Sequence, residues 1–519
     1  ALNGTFSLVT VDNTTKSHID GGFTILTGTD LDVIANDSTY LVNGSMAYAY
    51  AGDAGGAGNI AINLVKRNTT AEIGNEVSDP AGGVIVTGAA NVNVKATNGG
   101  GLVSVAVSGA LQQSADKKPA QKDDAQLAKK NSSQLNAPNQ AKQDKEKAQN
   151  EKDSKDQKKS WIPASFPEMS LSGNVSYNQI TDETIAGIYK GVFTSVGDVD
   201  VKALNTAWIG AYAGSASITN SYYDTTPNTP KTTTTSTTTS PGKEEPPKNK
   251  PVVSGAGSAS VTVNIIGGTT RAFVDHSTLT LTGDLNVFAD TSQVIVGVAT
   301  AGSISVSRNN SGFGVAGSGA VNIIRSQTEV YVADSTVNAT GKISILADDN
   351  NFIGSGAGSL SVVASTADKK TTTGSGTNAP PKTQAAVSVS PSAAVSVVDS
   401  KVYAYALNST LIAGSTIDVE ALANTMVISL ASGISGAGAD TNKGSFALAG
   451  AGSASINVIT VDVEAYIKQD APVAGRKVQS LNDAVSVIAE DNTLIVSNAG
   501  ALAISVAKGN EWGVGLALG

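Results

Sequence analysis

The chain has 519 residues, a formal net charge of −9, no cysteine and only two histidines, His18 and His276. This composition excludes disulfide frameworks, cysteine-based zinc sites and cysteine nucleophiles, and leaves almost no histidine acid–base chemistry. Aromatic residues are 5% of the total while glycine numbers 54, which points away from a round core of large side chains and toward closely approaching sheets or a narrow solenoid interior.

Along the chain a five-residue phrase, apolar-x-Val/Ile-x-Ala, recurs seven times. Leu31-Asp32-Val33-Ile34-Ala35, Val92-Asn93-Val94-Lys95-Ala96 and Val199-Asp200-Val201-Lys202-Ala203 come first. Leu285-Asn286-Val287-Phe288-Ala289 and Ile343-Ser344-Ile345-Leu346-Ala347 follow, then Ile417-Asp418-Val419-Glu420-Ala421 and Val485-Ser486-Val487-Ile488-Ala489. The anchor alanines are 61, 107, 86, 58, 74 and 68 residues apart, so a base unit of about 60 residues carries extra material in some copies. Alternation at a fixed period predicts an all-β, repetitive β-solenoid of about seven units, and a right-handed parallel β-helix is the expected form. The period leaves open whether a unit is one wide turn or about three turns of ~20 residues.

A second position sharpens the ruler. Asn178, Asn264, Asn322, Ser396 and, less clearly, Thr10 each lie 25 residues before their alanine, while Asn63 and Asn457 lie 33 and 32 before theirs. Local additions at Ser78–Gly83 and Ala471–Gly475 account for the difference. Stacked at the ~4.8 Å strand spacing, Asn63, Asn178, Asn264, Asn322 and Asn457 are expected to form a structural ladder of side-chain amides. Within a unit, Arg271–Val274, Thr278–Leu281 and Leu285–Val287 read as strands, with a turn at Gly283-Asp284 and a longer separate run from Gln293 through Ser307.

Three low-complexity insertions occur at one phase of the repeat, at residues 112–160, 223–252 and 366–385. The first holds twelve Lys against eight Asp plus Glu, the second is rich in Thr, Pro and Lys, and the third in Lys, Thr and Gly. They are expected to leave one edge of the stack as side loops: 112–160 disordered or at most a transient charged helix, 223–252 a disordered, extended flexible linker, and 366–385 a loop. The whole of 1–519 therefore reads as one continuous solenoid. The last residues, from Trp512, match those from Phe313, and Thr14–Ile19 match Thr269–Val274. This in-phase pair of ends is expected of an internal segment of a longer array.

Candidate chemistry is sparse. Asp348-Asp349-Asn350-Asn351, Glu490-Asp491-Asn492 and Asn36-Asp37-Ser38 follow the anchor alanine and are expected to line a corner of the stack. Oxygen-rich turns suit hard cations, so Asp348, Asp349, Glu490 and Asp491 are the calcium candidates, with solvated turn residues as the default. The Gly-Gly-x-Gly-x-Asp calcium repeat is missing. No catalytic residue, cofactor site or unit with an elaborated cleft is expected: the Gly-x-Gly strings lack a strand–turn–helix context, and His276 beside Asp275 reads as a surface turn. An acidic chain without a basic folded face excludes nucleic acid as a partner.

The unit running from Gly317-Ser318-Gly319-Ala320-Val321-Asn322-Ile323-Ile324 through Thr328-Glu329-Val330-Tyr331-Val332 and Asp334-Ser335-Thr336-Val337 to Gly341-Lys342-Ile343-Ser344-Ile345-Leu346-Ala347 resembles repeats of large bacterial surface adhesins. These are the filamentous-haemagglutinin-like proteins, including leukotoxin-family filamentous adhesins. The resemblance covers the chain apart from its insertions. It implies export to the bacterial cell surface and a β-solenoid stalk or filament. It also implies attachment to host or neighbouring cells, with glycans among the candidate partners. The rivals are a self-assembling extracellular filament or surface-layer subunit, associating end to end or side by side, and a polysaccharide-degrading β-helix enzyme.

Overall fold

The computed structural model describes residues 1–74, 83–113, 168–222, 253–367, 383–441, 443–471 and 475–519. These residues form a parallel β-solenoid, with no helix among them. The chain winds through three parallel sheets, and each coil contributes one strand to each sheet. Sheet A contains the first long strands: β1 (Leu2–Ile19), β4 (Ala54–Ile73), β7 (Glu168–Tyr189), β10 (Val253–Asp275), β13 (Ser311–Ala333), β16 (Gln384–Leu407), β19 (Gly444–Lys468) and the shorter β22 (Trp512–Leu518). Sheet B contains the short strands β2 (Thr24–Leu26), β5 (Ile85–Thr87), β8 (Val192–Val196), β11 (Thr278–Leu281), β14 (Thr336–Ala339), β17 (Thr410–Ala413) and β20 (Val478–Ser480). Sheet C contains the second long strands: β3 (Leu31–Ala51), β6 (Asn91–Gln113), β9 (Asp198–Tyr222), β12 (Leu285–Arg308), β15 (Ile343–Thr366), β18 (Ile417–Thr441) and β21 (Val485–Gly509). A repeat unit is thus one wide turn.

The recurring phrase marks the start of each sheet C strand. Its seven alanines stand in one column, Ala35, Ala96, Ala203, Ala289, Ala347, Ala421 and Ala489, each paired in register with the next. Their valine and isoleucine neighbours close an apolar prism against sheet B, where Val86, Phe193, Leu279, Val337 and Leu411 are buried. Beyond this prism, sheets A and C pack face to face around a row formed by Ile180, Ile266 and Ile324 on one side and Ile209, Ile295 and Ile353 on the other. Strand alternation explains the arrangement: one residue in two faces inward, and the same residue class returns at the same height on every coil.

Several expectations need correction. The run from Leu285 to Arg308 is one strand, because Asp290 and Ser292 face outward and Thr291 inward without breaking the alternation. For the same reason the acidic segments after the anchor alanine lie in mid-strand and not at a corner. Asn63 pairs with Val9, while Thr10 is exposed on the opposite face; a slip of one residue inverts the side-chain direction. At the last strand, Trp512 pairs with Gly444, and the column of Phe313 passes through Val387 and Leu448 to Leu516. The Thr14–Ile19 match does fall in the column of Thr269–Val274.

The insertions all interrupt the same connection, from a sheet C strand to the next sheet A strand, after β6, β9 and β15. Strands occupy Gln112, Gln113, Thr366, Gln384 and Ala385 of the expected insertions, and Ala367 and Thr383 are also described. The remainder of 112–160 and 366–385, and all of 223–252, lie outside the described residues. The two smaller additions, near 78–83 and 471–475, fall at the corner between sheets A and B. At that corner Lys190, His276, Asp334 and Asn408 share a left-handed backbone conformation, with φ of 53°, 50°, 44° and 52°. Their amides donate to the carbonyls of Asp275, Ala333, Leu407 and Lys468 on the next coil at 2.9–3.1 Å. The backbone ladder therefore continues through the bend, which offsets the steric cost of positive φ in non-glycine residues.

Candidate functional site

The polar interior between sheets A and C is the most elaborated chemical environment of the molecule. One row of it is an amide ladder: Asn43 donates to Asn63 (2.6 Å), Asn63 to Asn178 (2.7 Å), Asn178 to Asn264 (2.8 Å) and Asn264 to Asn322 (2.7 Å). The Asn322 amide then donates to Ser355 Oγ, which is 2.7 Å from Ser396 Oγ. Ser396 takes the asparagine position on its coil and separates Asn457 from the ladder, although Asn457 stands in the same column. Gly297 on sheet C faces the ladder. A Cβ there would collide with the Asn264 and Asn322 amides, so this glycine makes room for the side-chain bonds.

Four residues along, the interior holds charge. The Arg67 guanidinium grips Asp182 on the next coil in a bidentate pair, Nε to Oδ1 at 2.8 Å and Nη2 to Oδ2 at 2.6 Å, with both side chains fully buried. A third bond runs from Nη1 to the Gly99 carbonyl. Burial outweighs the attraction of Arg67 and pushes the Asp182 carboxyl above its ordinary range. Three coils further, Asp349 is fully buried, and Ser326 Oγ (2.8 Å) and Ser400 Oγ donate to its Oδ2. Loss of hydration pushes the Asp349 carboxyl up to about 6.

The four calcium candidates do not converge. Asp348 faces outward while its neighbour Asp349 faces inward, as strand alternation requires. Glu490 and Asp491 lie two coils away, in the columns of Asp348 and Asp349 respectively. Asp348 instead stands in register with Asp290, and desolvation followed by the Asp348 charge raises the Asp290 carboxyl. That outward pair was legible in the sequence once both residues were counted from their anchor alanines. His276 lies at the left-handed corner, its Nδ1 2.8 Å from Asp275 Oδ1. Ligand atoms of Asp275, His276 and Asp334 all lie within 4.8 Å of one another. These three groups could hold a divalent ion with water completing its shell, in competition with Arg476, which is 3.9 Å from Asp334.

An aromatic ladder was not anticipated. Phe273, Tyr331, Tyr405 and Tyr466 stack in register at 5.4, 5.2 and 4.9 Å between ring centroids, nearly parallel. Phe273 lies over Gly187 of the preceding coil, where a Cβ would meet the ring. Tyr403 Oη donates to Asp462 (2.6 Å), a bond that pushes its phenol up to about 12, and Tyr405 Oη donates to Glu329 (2.9 Å). The signal was present as aromatics equally spaced from the asparagine positions, and sparse aromatic content obscured it. The structure thus places buried ladders, outer ladders and one corner cluster of ligand groups along the stack.

Comparison with protein-family models, curated protein sequences and solved structures gives no match for this chain.

Three outcomes test this account. Gly297→Ala should destabilise the coil by about 1–3 kcal/mol through overpacking against the amide ladder, seen as a lower urea midpoint, although alanine normally improves on glycine in a strand interior. Arg67→Met should cost about 3–5 kcal/mol by leaving Asp182 buried and unpaired, whereas the double variant with Asp182→Leu should recover most of that loss; paired denaturation curves measure both. For Asp349, the folded protein holds a proton that the unfolded chain has released between about pH 4 and about pH 6. Stability from this group is therefore full below pH 4 and falls by about 3 kcal/mol as pH rises through that window. In Asp349→Asn that component of the pH dependence should vanish, as read from the difference in denaturation midpoint between the two proteins across pH 4 to 7.

Proposed function

We propose that the chain is a stalk or filament segment of a bacterial cell-surface adhesin, working outside the cell to carry attachment to host or neighbouring cells. The observation that supports this most directly is the unbroken parallel registry of sheets A and C through all seven coils. Backbone hydrogen bonds then run along the stacking axis over most of each long strand, and each coil pairs with its neighbours in the stack. Such a ladder bears load by many parallel small contributions. The resemblance to filamentous adhesin repeats supports the same reading, as does the confinement of insertions to one connection of the coil.

The coil dimensions refine the proposal. A long strand such as β12 has 24 residues, about 80 Å if extended, whereas each added coil advances the stack by only about 4.8 Å. The stalk is accordingly a broad ribbon, and its reach comes from coil number. Glycans at the far surface are the partner class that the adhesin reading favours.

Pulling the chain by its ends should peel it coil by coil. The 58 residues from Ala289 to Ala347 should release about 20 nm of contour, and the steps should scale with the residue count of each coil. A single all-or-none rupture would count against a mechanical stalk. Immunogold electron microscopy of the native cell surface should place the epitope on fibres made of one very long chain. Fibres polymerised from many short chains would transfer the reading to a self-assembling filament, and an intracellular location would overturn it.

A further inference from the structure

We infer that two copies of this chain pair laterally, face to face, through the outer surface of sheet C about a twofold axis parallel to the stacking axis. This goes beyond the stalk reading and does not depend on it. Counting from each anchor alanine, the outward positions from the third to the seventeenth residue carry no Asp, Glu, Lys or Arg on any of the seven strands of sheet C. Val296, Ile304, Val306, Leu430 and Ile434, for example, are 37–51% exposed there. Sheet A has a shorter uncharged outer band, the columns of Phe313 to Ile323, which toward sheet B gives way to Arg325, Glu329, Asp399, Lys401, Asp462 and Glu464. The uncharged band is the longer on sheet C, where it runs from the third to the seventeenth residue after the alanine. Isolated exposed apolar residues are ordinary, but a continuous uncharged face of this size marks a contact surface.

Area and charge identify the occupant. Seven strands at strand spacing by fourteen residues of strand length give about 30 by 45 Å, or about 1,300 Å², well above the ~800 Å² per partner of a stable complex. The Lys-rich insertion beginning after β6 is a poor cover, because residues 112–160 contain no aromatic residue and few apolar ones. A second copy fits, since a flat uncharged sheet complements itself across a dyad. The margins then choose the axis. Asp290 and Glu490 sit one residue after their alanines, and Arg308 and Lys508 sit nineteen after the same alanines. A dyad along the stack runs the strands antiparallel and keeps equal coils level. Asp290 then meets Arg308 of the second copy, and Glu490 meets Lys508 of the second copy. The dyad then crosses the middle coil at Ala299, and Thr300 lies across from Val298 of the second copy, two residues along the strand from its own mate.

Sedimentation of the full chain over a concentration series should show a reversible dimer. Val296→Glu with Leu430→Glu should weaken self-association by about a hundredfold or more through like charges forced together. Thr300→Glu with Ser432→Glu, at positions already polar, should do the same, and serves if the first pair fails to fold; Thr181→Glu with Thr460→Glu on sheet A should leave the dimer intact. Because the chain has no cysteine, Thr300→Cys should be captured as a covalent dimer by a short thiol-reactive bismaleimide, which spans the ~10 Å between facing sheets, and Thr181→Cys should not. A chain monomeric at every concentration reached, a dimer indifferent to both sheet C pairs, cross-linking through Thr181 alone, or flotation with zwitterionic vesicles in place of dimerisation would each overturn the assignment.

Discussion

In-register parallel pairing of like with like is the constraint on which the rest of the structure depends. The long strands of the inner coils pair with the coil above and the coil below, so each side chain must tolerate its counterparts at the strand spacing of about 4.8 Å. Small residues, β-branched residues and self-complementary amides meet that demand, which is why the composition is what it is. Four large aromatics meet it by stacking on one another, in the Phe273–Tyr331–Tyr405–Tyr466 column. Among the described residues, buried charge has a partner or hydroxyl donors: Arg67 with Asp182, Asp349 with Ser326 and Ser400, and Asp37 with Thr39.

Much of this was legible because the anchor phrase is periodic in two senses, every second residue within a strand and once per coil along the chain. The seven alanines form the column that their spacing implies, and the common exit for insertions corresponds to a single connection between sheets C and A. What periodicity concealed was face. Thr10 and Val9 differ by one residue and point oppositely, and a count along the chain has no means of separating them without the partner strand. The acidic segments after the alanines looked like a corner because polar clusters usually mark turns. Here they are split between an outer column and an inner one, and the strand passes straight through.

The two kinds of polar device in the interior act differently. The amide ladder is tolerant: serine replaces asparagine at 396 and the chain of hydroxyls carries the row past it. The buried carboxylates are less forgiving, since removal from water raises the free energy of the charged form and only fixed partners offset it. Interior polarity costs stability compared with an apolar filling, yet it distinguishes coils that would otherwise be near equivalents.

That distinction has a consequence for assembly. A chain of nearly interchangeable coils is prone to pair the wrong neighbours while it folds, the characteristic failure of repeat proteins. Arg67 and Asp182 belong to consecutive coils and to one column whose other inward members include Gly268, Ser326 and Ser400. Skipping a coil sets the buried guanidinium against a glycine and strands the carboxylate. One ion pair therefore marks a single junction in the stack, and tells those two coils apart from their near equivalents.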